Sequence, residues 1–83
     1  MRTLLRLAKF RQRLSELGAD GAIVTSRENV AYLTGFAGSA GTLVIAPGRA
    51  YLVTDGRYEI RARGVATGYR VTLRKSLAAV VNE

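Results

Sequence analysis

Cysteine and histidine are both absent from this sequence of 83 residues. Without cysteine the chain can form no disulfide and offers no thiolate nucleophile, which fits a cytoplasmic protein. Without histidine it lacks a histidine-based catalytic triad and the usual Cys/His zinc site. It also has no run of about 18 apolar residues, so we predict no membrane span. A chain of this length forms one domain at most.

Acidic residues are scarce, with 6 Asp or Glu against 13 Lys or Arg and a formal net charge of +7. Such an excess suggests nucleic-acid binding. The basic residues, however, cluster in two separate stretches, 2–13 and 57–63, which we interpret as solvent faces of two amphipathic helices. We therefore expect no specific nucleic-acid partner. A stand-alone basic binding module, with a weak nucleic-acid or protein partner, is the alternative function.

The spacing of apolar residues predicts eight elements in the order α-β-α-β-β-α-β-α. The predicted helices cover 4–17, 27–33, 57–66 and 77–81, and the predicted strands cover 22–24, 42–46, 51–54 and 69–73. The Pro47-Gly48 pair lies between two strands and predicts an antiparallel hairpin. We therefore expect an α/β fold of the three-layer sandwich type, with a mixed sheet that contains this one hairpin.

The first helix has a second interpretation. Its 15 N-terminal residues hold five basic and no acidic side chains, which is also typical of a mitochondrial presequence. Its apolar stripe runs directly into the next strand, which favours a structural helix.

Polar residues before two helices predict how those helices begin. Thr25 or Ser26 is the expected N-cap of the second helix, and Glu28 completes a capping box if the cap is Thr25. Asp55 is the expected N-cap of the third helix. Gly35 is expected to end the second helix.

A glycine-rich loop follows the second helix, with Gly35, Gly38 and Gly41 spaced three apart around Phe36. This density allows sharp turns and close approach of another surface. Phe36 either packs in the local core or contacts a partner. The loop precedes a strand, whereas a phosphate-binding loop follows a strand and opens a helix, so we expect no nucleotide site.

No residue of the chain is predicted to be catalytic or to bind a metal. The carboxylates fall at expected caps, turns and helix surfaces, and two carboxylates without histidine make a poor metal site. Ser39 has no candidate base. Tyr32 is expected to pack in the core with a hydrogen-bonded hydroxyl.

Three segments together resemble one family. They are Gly18–Val24 after a basic helix rich in leucine, Asn29–Gly41, and Thr54–Tyr58 with the sequence TDGRY. In this order and spacing they resemble the N-terminal domain of Xaa-Pro aminopeptidases, Xaa-Pro dipeptidases (prolidases) and creatinase. Arg61 departs from the pattern, in which Gln is expected.

The resemblance implies a single domain over 1–83 that is truncated and non-catalytic, from a cytoplasmic, homodimeric parent that cleaves proline-containing peptides. The catalytic C-terminal domain, absent here, would hold two divalent metal ions, manganese, cobalt or zinc. The N-terminal domain would serve dimerisation and shape the active-site entrance. The residues implied to contact the substrate entrance or another subunit are Phe36, Ser39, Ala40 and Arg57. The residues implied to have a structural role are Tyr32, Gly35, Gly38, Gly41, Asp55 and Tyr58.

Overall fold

The computed structural model describes residues 2–73, and residue 1 and residues 74–83 lie outside this range. The described elements are α1 (Arg2–Glu16), β1 (Ala22–Val24), α2 (Arg27–Thr34), β2 (Thr42–Ala46), β3 (Arg49–Thr54), α3 (Glu59–Val65) and β4 (Arg70–Leu73). They follow the predicted order. The last predicted helix, over 77–81, falls outside the described residues.

The four strands form one mixed sheet in the order β1-β2-β3-β4. The β1–β2 and β2–β3 pairs are antiparallel, and β3–β4 is parallel through the α3 crossover. Pro47 and Gly48 form the hairpin turn, with Gly48 at a φ of 73°. A positive φ at this position suits glycine, which has no Cβ to clash. The predicted α/β class with a mixed sheet and one hairpin is confirmed.

All three described helices pack on one face of the sheet. Alternate strand residues point to this face and pair across it, Leu43 with Leu52 and Leu52 with Val71. The helices add Leu7, Val30, Leu33 and Ala62 to the same buried cluster, and Ala66 joins it from the C-cap of α3. Residues 2–73 thus form one layer of helices on one layer of strands.

Local signals set both ends of α2. Ser26 is the N-cap, because its Oγ accepts the backbone N–H of Asn29 at 3.3 Å. The capping box with Glu28 depended on Thr25 being the N-cap. Because Ser26 is the N-cap, this capping box does not form. Gly35 ends the helix at a φ of 83° and donates its N–H to the Ala31 carbonyl at 2.8 Å.

The predicted start of α3 is wrong by two residues. The helix begins at Glu59, and Tyr58 occupies the N-cap position without a side-chain cap. Asp55 forms a turn ahead of the helix, where its Oδ1 accepts the N–H of Arg57 at 3.0 Å. Aspartate is favoured both at helix N-caps and in such local turns, so the sequence alone could not distinguish these two roles for Asp55.

The longest described helix, α1, has 15 residues. None of the helices within residues 2–73 has the length and apolarity needed to cross a bilayer.

Candidate functional site

The glycine loop, residues 35–41, is built around the Phe36 ring. The ring is 1% exposed and belongs to the central apolar cluster. A Cβ atom on Gly38 would overlap the Cζ atom of Phe36, and one on Gly41 would lie 3.2 Å from its Cε2 atom. Glycine at these two positions therefore lets the backbone close over the ring.

The expectation that Phe36 contacts a partner through its side chain is wrong for this chain, because the ring lies in the core. Ala40 is also buried, at 8% exposure. Of the four implied contact residues, Ser39 and Arg57 are exposed.

Two buried threonines fix the loop backbone. The hydroxyl of Thr34 donates to the Val30 carbonyl at 2.7 Å and accepts the N–H of Phe36 at 2.9 Å. The hydroxyl of Thr54, at the end of β3, donates to the Ala40 carbonyl. Both threonines are fully buried, so these bonds satisfy polar groups that water cannot reach. Sequence reasoning missed both residues, since hydrophobic periodicity does not single out a threonine.

Arg27, at the start of α2, adds a bond from the surface. Its Nη2 and Nε donate to the Ala37 carbonyl at 2.9 and 3.2 Å. The loop is therefore held from α2, from β3 and by its own aromatic ring.

Ser39 and Tyr58 join the loop to the segment after β3. The Ser39 Oγ and the Tyr58 hydroxyl lie 2.9 Å apart. The ring of Tyr58 packs edge to face on that of Phe36. The hydrogen bond with Ser39 is the main cause that lowers the pKa of Tyr58 below its usual value.

Arg57 is an exposed cation beside the Ser39–Tyr58 pair. Its Nη2 lies 2.8 Å from the Asp55 carboxylate, and its Nε donates to both carboxylate oxygens. The guanidinium carbon also lies 5.1 Å from the centre of the Tyr58 ring. The hydrogen bond and the charge of Asp55 raise the pKa of Arg57, so the side chain stays charged. The side chain is nonetheless 71% exposed, so it is oriented and still accessible.

The prediction that Tyr32 packs in the core is wrong. The residue is 57% exposed, whereas Val30 and Leu33 form the buried face of α2. The guanidinium carbon of Arg6 lies 4.2 Å from the centre of the Tyr32 ring, and its Nη1 donates to the Tyr32 carbonyl at 2.9 Å. Tyr32 therefore connects α2 to α1 from the surface.

The resemblance implies two metal ions in a catalytic domain outside this chain, and the described residues themselves do not fit a dimetal site. Across residues 2–73, no three His, Cys, Asp or Glu side chains come together. Asp55 and Glu59, in the segment after β3, pair with Arg57 and Arg63. Paired carboxylates of this kind orient arginines and do not form a dimetal centre.

Comparison with known proteins gives consistent matches. Residues 6–83 match the Creatinase/Prolidase N-terminal domain family. An uncharacterized peptidase of Bacillus subtilis, YqhT, is 42% identical over 67 residues, which cover 81% of this chain and 19% of that protein. The chain therefore spans about a fifth of the length of that relative.

Two solved structures show the same fold. An Xaa-Pro aminopeptidase from Streptococcus pyogenes superposes with a TM-score of 0.87 at 32% identity, over 96% of this chain and 62% of that one. The N-terminal domain of the cytoplasmic peptidase PepQ from Mycobacterium tuberculosis gives a TM-score of 0.75 at 34% identity, over 82% and 54% of the two chains. The chain therefore belongs to the creatinase/prolidase N-terminal domain family.

Proposed function

We propose that this chain is the non-catalytic N-terminal domain of an Xaa-Pro metallopeptidase, either an aminopeptidase or a dipeptidase. Family membership over residues 6–83 supports this assignment, as does the small share of the YqhT peptidase that the chain spans. The catalytic C-terminal domain would lie outside this chain and would hold the two divalent ions, manganese, cobalt or zinc. Proline-containing peptides are the proposed substrates of the longer protein.

The domain's role in catalysis is to shape the active-site entrance through Ser39, Tyr58 and Arg57. The observation that carries this proposal is the fixed but accessible guanidinium of Arg57. Asp55 holds its Nε and Nη2, while its Nη1 makes no hydrogen bond with any residue in the described range. A guanidinium with a spare donor can bind the carboxylate of a peptide substrate.

The domain also serves oligomerisation, with a homodimer as the proposed state. The described sheet is bordered by β1 and β4, and Ile23 of β1 is 69% exposed. Two-fold pairing is the commonest way to cover such a surface. Sedimentation equilibrium should show a dimer that strengthens with salt, because salt screens the +7 charge. A species of 9.0 kDa at every concentration and salt level would show that dimer contacts lie elsewhere.

The proposed location is the cytoplasm, in keeping with the cytoplasmic peptidase PepQ whose N-terminal domain has the same fold.

Assay of the isolated chain tests its non-catalytic status. It is incubated at high concentration with an Xaa-Pro dipeptide and a longer Xaa-Pro peptide, with and without Mn²⁺. We expect no hydrolysis. Metal-dependent turnover that follows the protein through several columns would overturn the proposal.

A further inference from the structure

A second surface, separate from the glycine loop, is a groove of about 320 Å³ between α1 and α2. Its floor is apolar and includes Phe10, Val24 and Leu33. Phe10 and Val24 are partly exposed there, while their remaining surface packs on the core. A groove of this volume lies at the lower end of the range for binding pockets, and its floor suits one apolar side chain.

The rim of the groove is basic. Arg6, Lys9 and Arg13 stand three and four residues apart on α1 and therefore share one helix face. No Asp or Glu of the described chain lines the groove. The side chains of Lys9 and Arg13 make no hydrogen bond or ion pair within residues 2–73.

Arg6 differs from the other two cations because it is already fixed. It stacks on the Tyr32 ring and donates to the Tyr32 carbonyl. One end of the groove is thus closed by an ordered contact. Lys9 and Arg13 supply positive charge along the rest of the rim; Glu16 lines a neighbouring hollow with them but forms no ion pair within residues 2–73. A ligand that combines carboxylates with an apolar group complements both the rim and the floor.

The dimensions favour an extended peptide. Lys9 and Arg13 are four residues apart, which is about 6 Å along a helix. Alternate side chains of an extended chain point to the same side and lie roughly 7 Å apart. An acidic residue two positions from the apolar one therefore faces the same side, so its carboxylate can reach the basic rim while the apolar side chain lies on the floor.

We propose that the groove between α1 and α2 binds an acidic peptide segment, with an aliphatic or aromatic side chain on the floor and carboxylates on Lys9 and Arg13. This inference does not rest on the proposed peptidase role. A single-stranded nucleic acid fits less well, because stacking of its bases needs open aromatic faces and Arg6 already stacks on Tyr32. A second copy fits less well too, since the whole chain has only 6 acidic residues.

Fluorescence anisotropy of a labelled peptide tests the proposal. The probe is fluorescein-Glu-Glu-Leu-Glu-Glu, titrated with the chain at about 0.15 M salt, where weak long-range attraction is screened. We expect saturable binding with a Kd below about 1 mM. Replacing the probe's leucine by glycine should weaken binding roughly tenfold, and replacing its four glutamates by lysines should abolish it.

Two double variants of the protein locate the site. Lys9→Gln with Arg13→Gln should weaken binding about three- to thirtyfold, as expected for the loss of two partly exposed charge pairs. Arg61→Gln with Arg63→Gln removes the same charge from α3 and should leave the Kd within about twofold. All four side chains are exposed, so both variants should fold, as circular dichroism and thermal melting will verify.

Three results would overturn the proposal. The first is no saturable binding, or equal weakening by both double variants, which would indicate a general effect of charge. The second is equal affinity for the leucine and glycine probes, which would exclude the apolar floor. The third is displacement of the probe that depends on Lys9 and Arg13. Displacement by a single-stranded oligonucleotide would identify a nucleic acid as the occupant, and displacement by self-association would identify a second copy of the chain.

Discussion

The rings of Phe36 and Tyr58 meet edge to face, with centroids 5.5 Å apart and planes at 80°. This contact joins the glycine loop to the segment between β3 and α3. Phe36 is buried and Tyr58 is only partly exposed, so the pair links the core to the surface that carries Ser39 and Arg57. A rigid core beneath exposed polar groups keeps those groups in one arrangement.

Phe36→Ala should strongly destabilise the domain. Truncation of a buried phenylalanine removes apolar burial and leaves a cavity, at a cost of about 3–5 kcal/mol. A domain of this size has a total stability of roughly 4–12 kcal/mol, so this loss is a large fraction of the total. Urea denaturation measures the change, with Ser39→Ala as the exposed control. An unchanged midpoint for Phe36→Ala would mean that the ring is not a core element.

Gly38→Ala and Gly64→Ala should have opposite effects on stability. A Cβ on Gly38 meets the Phe36 ring, and overpacking of this kind costs about 1–3 kcal/mol. A Cβ on Gly64 in α3 meets nothing within 4 Å, and the better helix former should add about 0.5–1 kcal/mol. Thermal melting of both variants compares them directly. Equal midpoints would show that the loop does not close tightly on Phe36.

Tyr69 should make the domain sensitive to alkaline pH. Burial raises the pKa of Tyr69 above its ordinary value of 10.0, and its hydroxyl donates to the Leu33 carbonyl at 3.1 Å. Because the folded pKa is the higher one, the stabilisation is complete below the unfolded pKa and is lost as pH rises through the folded pKa. The free energy of unfolding of the wild type should therefore fall more steeply above about pH 10 than that of Tyr69→Phe. Parallel curves for the two proteins would argue against this role.

Ser39→Ala should raise the pKa of Tyr58. The hydrogen bond with Ser39 is the main cause of its lowered pKa, so loss of that hydroxyl should move the value back toward 10.0. Absorbance of tyrosinate during alkaline titration measures the shift, and Tyr58→Phe identifies which transition belongs to this residue. A Tyr58 titration that is identical with and without the Ser39 hydroxyl would mean that the two groups do not interact in solution.

Much of the fold could be predicted because its signals are local. Ser26 and Gly35 bound α2, and Pro47-Gly48 sets the hairpin, through preferences that each residue expresses within a few positions. The strand predicted over 51–54 nevertheless begins two residues later than β3, which starts at Arg49. The turn has only two residues, so pairing starts directly at Arg49 with Ala46.

The errors concern residues whose environment depends on distant elements. The prediction placed Tyr32 in the core, but Tyr32 lies one residue before the buried Leu33. Adjacent helix residues face different directions, so Tyr32 lies outside the buried face of α2. Phe36 could not be placed from sequence, because its burial depends on β2, β3 and the closure of the loop over it. The roles of Thr34 and Thr54 depend on which carbonyls the tertiary fold brings near.

Catalysis by the longer protein tests the proposed entrance role most directly. The measurement is kcat/KM for an Xaa-Pro peptide with wild type, Arg57→Ala and the control Arg61→Ala, each checked for an unchanged Tm. Both arginines are exposed, but only Arg57 lies beside the glycine loop on Tyr58.

Loss of one charge-assisted hydrogen bond to substrate predicts a fall in kcat/KM of at least about tenfold for Arg57→Ala. The control should stay within about twofold of wild type, as expected for an exposed residue that contacts no substrate. If Arg57→Ala retains the wild-type kcat/KM, this surface does not shape the active-site entrance.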